Sequence, residues 1–143
     1  MAAERTAEVT WTGSLQEGEG TIERVGSGAF GPLDVTWASR TEEPDGRTSP
    51  EELIAAAHAS CFSMALSGAL ARAGSPPEEL HTSATVTFVP GTGITKSALR
   101  VRGKVPGMDE AAFVEHANTA KENCPVSKAL AAVPEITLDA ALA

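Results

Sequence analysis

Basic side chains are scarce in this 143-residue chain: 11 Lys and Arg stand against 19 Asp and Glu, giving a formal net charge of -8. Nucleic-acid surfaces are built from clustered Lys and Arg, so this balance argues against such a partner. The first residues, Met1 to Glu8, lack the apolar core of a secretory leader, and a cytoplasmic chain is expected. Cysteine is nearly absent. Cys61 and Cys124 are the only two, and in a reducing compartment they are not expected to form a permanent staple. They lie too far apart for a Cys-x-x-Cys redox motif and lack the paired spacing of a zinc site. The chain also lacks repeats, coiled-coil heptads and low-complexity tracts. One domain, residues 1–143, is predicted.

What is most conspicuously missing is charge between Leu53 and Ala71, where no Asp, Glu, Lys or Arg occurs. The flanks mark this run as a helix over 50–73. Ser49 is a good N-cap, Pro50 suits the first helical position, Glu52 can complete a capping box, and Gly74 supplies a left-handed stop. Such length approaches a membrane span, but the run is built from Ala and Ser more than from Leu or Ile. It also carries His58 and sits between acidic flanks with no Lys/Arg asymmetry, so no membrane partner is expected. A helix apolar on all sides must be buried on all sides. One small sheet covers only one face, which predicts a homodimer whose central helices pack together between sheets.

On either side of this helix the pattern is β-rich. The N-terminal part, 7–40, reads as three strands: Glu8–Thr12 and Thr21–Val25 as a hairpin, then Leu33–Ser39 delivering Arg40 at its end. Thr41 to Thr48 is a polar turn segment. The C-terminal part, 81–141, reads as β-β-α-α-β. Thr82–Val89 and Ile94–Val105 flank a Pro90–Gly93 turn, and Asp109 caps a helix to Asn123 that carries Phe113, Val114 and Ala117 on one stripe. Pro125 opens a short helix to Ala131, and Ile136–Ala140 closes as a strand. Strands in separate, hairpin-linked blocks predict an α+β fold with antiparallel sheets.

Two thiols in different settings are the candidates for chemistry. Cys124 precedes Pro125 at a helix start, where a thiolate is favoured; Cys61 lies inside a helix and needs a positive charge nearby. Arg40 and Arg47 are the nearest in sequence. The bland alternative for Cys61 is packing, since free cysteine is among the most buried residue types. His58, one turn earlier, could touch the Cys61 thiol or simply satisfy its own hydrogen bonds. A metal site from His58, Cys61, His116 and Cys124 has no recognised ligand pattern, and none is predicted. Trp11 and Trp37 read as core or interface residues within strands, and Glu42–Glu43 and Glu78–Glu79 as solvated charges.

The run Pro50 to Ser67, PEELIAAAHASCFSMALS, resembles the central helix motif of the osmotically inducible OsmC proteins in the OsmC/Ohr peroxidase family. Ile94-Thr95-Lys96, Val105-Pro106-Gly107-Met108-Asp109 and Asn123-Cys124-Pro125-Val126-Ser127 resemble the family's later segments, so the likeness covers about Trp11 to Leu138. The resemblance implies an intertwined homodimer with sites at the subunit interface. It also implies a hydroperoxide reductase without metal or cofactor, recharged by an external thiol reductant of the lipoyl type. By the same resemblance, Cys61 is the peroxidatic cysteine, Cys124 the resolving cysteine, Arg40 the active-site arginine and Glu51 its paired glutamate. The loop from Arg40 to Pro50 is one residue longer than the family's, which keeps Arg47 as a second candidate. Apolar neighbours of Cys61, namely Phe62, Met64 and Leu66, favour an organic hydroperoxide as substrate. Glu51 and Cys61 are ten residues apart, about 15 Å along one helix, so they share a site only if the helix breaks or if Glu51 comes from the other subunit. The competing readings are a catalytically silent dimeric stress or ligand-binding protein and a thiol switch that signals to a partner.

Overall fold

The computed structural model describes residues 1–143 as an α+β chain. Its elements run β1 Ala7–Thr12, β2 Glu19–Val25, β3 Leu33–Val35, α1 Trp37–Thr41, α2 Pro50–Arg72, β4 Glu79–Val89, β5 Gly93–Lys104, α3 Glu110–Asn123, α4 Pro125–Ala129 and β6 Glu135–Leu142. The chain falls into two compact units, Met1–Leu53 and Ile54–Ala143.

In the first unit β1, β2 and β3 form an antiparallel sheet in that order. Little of it is covered. Ile22 is its buried hydrophobic side chain, whereas Val9 is 59% and Trp11 40% exposed. The third strand corrects the sequence-based expectation, because it ends at Val35 rather than Ser39. Thr36 stays extended and acts as the N-cap of α1. Its hydroxyl accepts from the Ser39 N–H at 2.9 Å, and the Ser39 hydroxyl accepts from the Thr36 N–H at 2.9 Å. This reciprocal box satisfies donors that a strand would have had to pair elsewhere, so the chain turns into a helix and Trp37 and Arg40 stand on α1.

The central helix has the predicted N-cap and left-handed stop, but the capping box with Glu52 is only half formed. The Glu52 N–H donates to Ser49 Oγ at 3.1 Å, while the Glu52 carboxylate accepts from the Thr48 hydroxyl at 2.8 Å. At the far end Gly74 adopts φ +89. Its N–H donates to the Ala71 carbonyl and that of Ser75 to the Leu70 carbonyl, the paired bonds that close a helix through a left-handed residue. Burial all round is met along one face only. His58, Phe62, Leu66 and Leu70, four residues apart in turn, are each fully buried, whereas Ala56, Ala57 and Ser60 are exposed and Met64 is 74% exposed. The helix is long and apolar enough to cross a membrane, yet this buried face belongs to a packed core with Leu99, Val101, Phe113 and Ala117.

That core lies in the second unit. There β4 and β5 pair as an antiparallel hairpin, and β6 lies beside β5 in parallel register, from Lys96↔Glu135 to Gly103↔Leu142. A parallel neighbour requires a long crossover, which α3 and α4 provide. Asp109 caps α3 as predicted, its carboxylate accepting from the Ala112 N–H at 2.8 Å. Phe113 and Ala117 turn inward from α3. Phe113 packs so closely over Gly103 that a Cβ there would lie 2.6 Å from its ring.

Candidate active site

In the first unit the sequence-predicted arginine and glutamate meet. Arg40 Nε lies 3.0 and 3.1 Å from the two Glu51 carboxylate oxygens, and Nη2 lies 2.7 Å from Oε1. Arg40 is presented by α1 and Glu51 by the first turn of α2. The Ser39 hydroxyl donates to the Thr48 carbonyl at 3.1 Å, fastening the two ends of the intervening loop. Glu51 is 6% exposed. A buried carboxylate needs such a two-pronged partner, and removing the partner from a buried pair costs about 3 kcal/mol or more. Behind the guanidinium stands Trp37, its ring centroid 5.9 Å from Arg40 Cζ, which fixes the plane of the fork from a second side. Arg47 reaches only the exposed Asp45, at 3.4 Å. Of the two candidate arginines, Arg40 is therefore the one engaged with Glu51.

In the second unit both cysteines are free thiols, Cys124 within the core cluster and Cys61 packed against that cluster. Cys61 is half-buried on α2, and Cys124 is fully buried between α3 and α4. Burial pushes the Cys61 thiol above its ordinary value, and the neighbouring Cys124 pushes it further. Burial acts on Cys124 in the same direction, but hydrogen bonds outweigh it. The Ser127 N–H, the Cys61 thiol, the Ser127 hydroxyl and the Val126 N–H all favour its thiolate and hold it below the usual thiol range. Of the two, Cys124 is the one whose surroundings favour the thiolate and Cys61 the one whose surroundings oppose it.

His58 does not touch the thiol through its ring nitrogens. Nδ1 lies 2.6 Å from Ser97 Oγ and Nε2 lies 2.8 Å from Ser127 Oγ, all three residues being buried. No three His, Cys, Asp or Glu residues gather as a metal-binding group. The apolar neighbours of Cys61 also need correction: Phe62 and Leu66 are fully buried in the core and cannot meet a substrate tail, which leaves Met64 as the exposed one. The sequence reading missed Trp37 as a support for Arg40, although Thr36 and Ser39 at capping-box spacing signal the helix that places it. Ser97 and Ser127 carried no local signal, because they meet His58 from 39 and 69 residues away.

Comparison with known proteins places this arrangement. Residues 43–139 match the model of the family described as OsmC-like protein. The chain is 42% identical over 142 residues to peroxiredoxin OsmC of Escherichia coli (strain K12), covering 97% of this chain and 96% of that one. Among solved structures, an OsmC-like protein of unknown function from Vibrio cholerae superposes with a TM-score of 0.73 at 20% identity, over 97% of this chain and 99% of that one. The organic hydroperoxide resistance protein OhrB of Bacillus subtilis does so with a TM-score of 0.64 at 25% identity, over 96% and 98%.

Proposed function

The chain belongs to the OsmC-like protein family, and we propose that it is a cysteine-based peroxidase that reduces organic hydroperoxides with Cys61 and resolves through Cys124. The observation that carries this reading is the convergence of two free thiols on one core cluster, Cys124 within it and Cys61 packed against it. The relatives' names, peroxiredoxin OsmC and organic hydroperoxide resistance protein, support the substrate class.

The chemistry balances with no metal or prosthetic group. Loss of the Cys61 proton frees its thiolate, which attacks the hydroperoxide; the O–O bond breaks, the leaving alkoxide takes up a proton as the alcohol, and Cys61 becomes a sulfenic acid. The Cys124 thiol then displaces hydroxide from that sulfur. An S–S bond forms, an S–O bond breaks and water leaves. An external dithiol of the lipoyl type exchanges with the disulfide and restores both thiols.

Arg40 stabilises the Cys61 thiolate and the oxygens that gain charge as the O–O bond breaks, with Glu51 and Trp37 holding its fork in plane. The 143 residues act as one domain of a homodimer in the cytoplasm. α2 runs as one helix from Pro50 to Arg72, which supports a Glu51 supplied in trans rather than a break between Glu51 and Cys61. In this reading the Arg40–Glu51 pair serving a given Cys61 comes from the other subunit.

Consumption of cumene hydroperoxide by the purified protein with a small dithiol tests the reading. Wild type is expected to turn over and Cys61→Ser to lose all turnover. A fully reduced wild type that consumes no hydroperoxide sinks the peroxidase.

A further inference from the structure

The helix that presents Arg40 is short. α1 has five residues, too few for its own backbone bonds to hold it in place, so its position relative to α2 depends on particular contacts. Within the first unit those contacts meet at Thr48. Its N–H donates to the Asp34 carbonyl at 3.0 Å, beside the parallel bridge to Val35, which anchors it to the end of β3. Its hydroxyl donates to the Glu52 carboxylate at 2.8 Å, which ties it to the first turn of α2. Its carbonyl takes the Ser39 hydroxyl at 3.1 Å, which ties it to α1. Ser39 immediately precedes Arg40, and Thr48 stands three residues before Glu51. We propose that Ser39 is a positioning residue for the Arg40–Glu51 pair: its buried hydroxyl holds α1 against the start of α2, so that the guanidinium is aimed by the backbone and not by its carboxylate partner alone. The inference rests on the role proposed for Arg40 beside the Cys61 thiolate.

A serine hydroxyl has one proton to give and two lone pairs. That of Ser39 accepts from the Thr36 N–H at 2.9 Å, and two carbonyls lie within reach of its proton, Thr36 at 3.0 Å and Thr48 at 3.1 Å. The Thr36 carbonyl already takes the Arg40 N–H at 3.2 Å, so the proton does more at Thr48. Ser39 is 7% exposed, which leaves water little access to that bond. The N-cap of α1 is a separate bond, from the Ser39 N–H to the Thr36 hydroxyl at 2.9 Å. Capping and tying are thus divided between the backbone and the side chain of one residue, and substitution separates them. Without the tie, a five-residue helix follows the swing of a long arginine side chain. A displacement of about 1 Å in a catalytic constellation costs up to about a hundredfold in rate.

The experiment mixes reduced protein with one equivalent of cumene hydroperoxide and no reductant, and follows hydroperoxide loss, which reads the attack by Cys61 alone. Ser39→Ala should slow that attack roughly tenfold. Thr36→Ala removes the cap and leaves the tie, so it should lower the melting temperature at least as far while keeping the rate within about twofold of wild type. The isosteric pair Ser39→Thr and Ser39→Val repeats the comparison at equal volume, and the valine, which lacks the hydroxyl, should be the slower by a similar factor. Adding Ser39→Ala to Arg40→Met with Glu51→Gln, a background with neither charge of the pair, should slow the attack no further, because Ser39 acts through the arginine.

Equal rates in Ser39→Thr and Ser39→Val overturn the proposal. So does a rate that simply tracks melting temperature across Ser39→Ala and Thr36→Ala, which is the behaviour of a hydroxyl that only supports the fold. Further slowing in the background without the charge pair overturns it as well. If Arg40→Met with Glu51→Gln consumes hydroperoxide at the wild-type rate, the role given to Arg40 is wrong and the inference falls with it. A slow double variant beside a Ser39→Val as fast as Ser39→Thr leaves that role standing and overturns the inference alone.

Discussion

The buried imidazole illustrates how one side chain can be dictated by solvation. His58 is fully enclosed, its two nitrogens are taken by serine hydroxyls, and burial lowers its proton affinity below the ordinary histidine value. An unfolded chain binds that proton near pH 6.5, whereas the folded chain binds it only at lower pH. Between those limits the unfolded state holds more protons, so stability rises with pH and falls as the solution is acidified through pH 6.5. The slope has a ceiling of about 1.4 kcal/mol per pH unit. Urea unfolding at pH 7 and pH 5 should show this loss in wild type and a flatter dependence in His58→Gln. Equal slopes in the two proteins would mean that the ring is not kept neutral. From sequence alone, His58 could be placed near Cys61 but not among its actual partners, since Ser97 and Ser127 reach it through tertiary packing.

The elements that were legible in the sequence are those whose ends are written locally. Ser49, Pro50 and Gly74 define α2, Asp109 and the Cys124-Pro125 step define α3, and turn residues define the β4–β5 hairpin. The stretch from Leu33 to Ser39 was misread because its alternation mimics a strand, and only the Thr36–Ser39 box overrides that period. The pairing of Arg40 with Glu51 came through the family likeness, while the stacking of Trp37 depended on a helix not foreseen. The contact between β5 and α3 lay beyond reach as well. Gly103 sits within a strand, where glycine costs entropy, and its justification is the Phe113 ring that a Cβ would meet at 2.6 Å. Gly103→Ala should therefore destabilise by about 1–3 kcal/mol through overpacking. A shift of the urea midpoint to lower concentration would register it, and an unchanged midpoint would show that Phe113 yields freely.

At the scale of the whole molecule, the protomer has an apolar helix with one bare side and an N-terminal sheet with little core of its own. A second copy covers both in the proposed dimer. Met64, 74% exposed on the uncovered side of α2, is the residue to test. Met64→Glu would place a charge where the two helices meet. Sedimentation should then report a monomer with helical circular dichroism retained, and peroxidase turnover should fall at least roughly tenfold if each Cys61 needs the partner's arginine. A Met64→Glu monomer with wild-type turnover would place the Arg40–Glu51 pair and Cys61 of one chain in the same site.

The parallel seat of β6 also sets an order of events in time. Closing β4 onto β5 joins Val89 to Gly93, whereas seating β6 joins Lys96 to Glu135 with two helices in between. Loop-closure entropy makes the second event costlier by about 2 kcal/mol, so the hairpin forms early and β6 docks late. Until it docks, the outer edge of β5 is an unpaired template for other chains. The vulnerable moment in the life of this protein is therefore its own assembly, before the last strand closes the sheet.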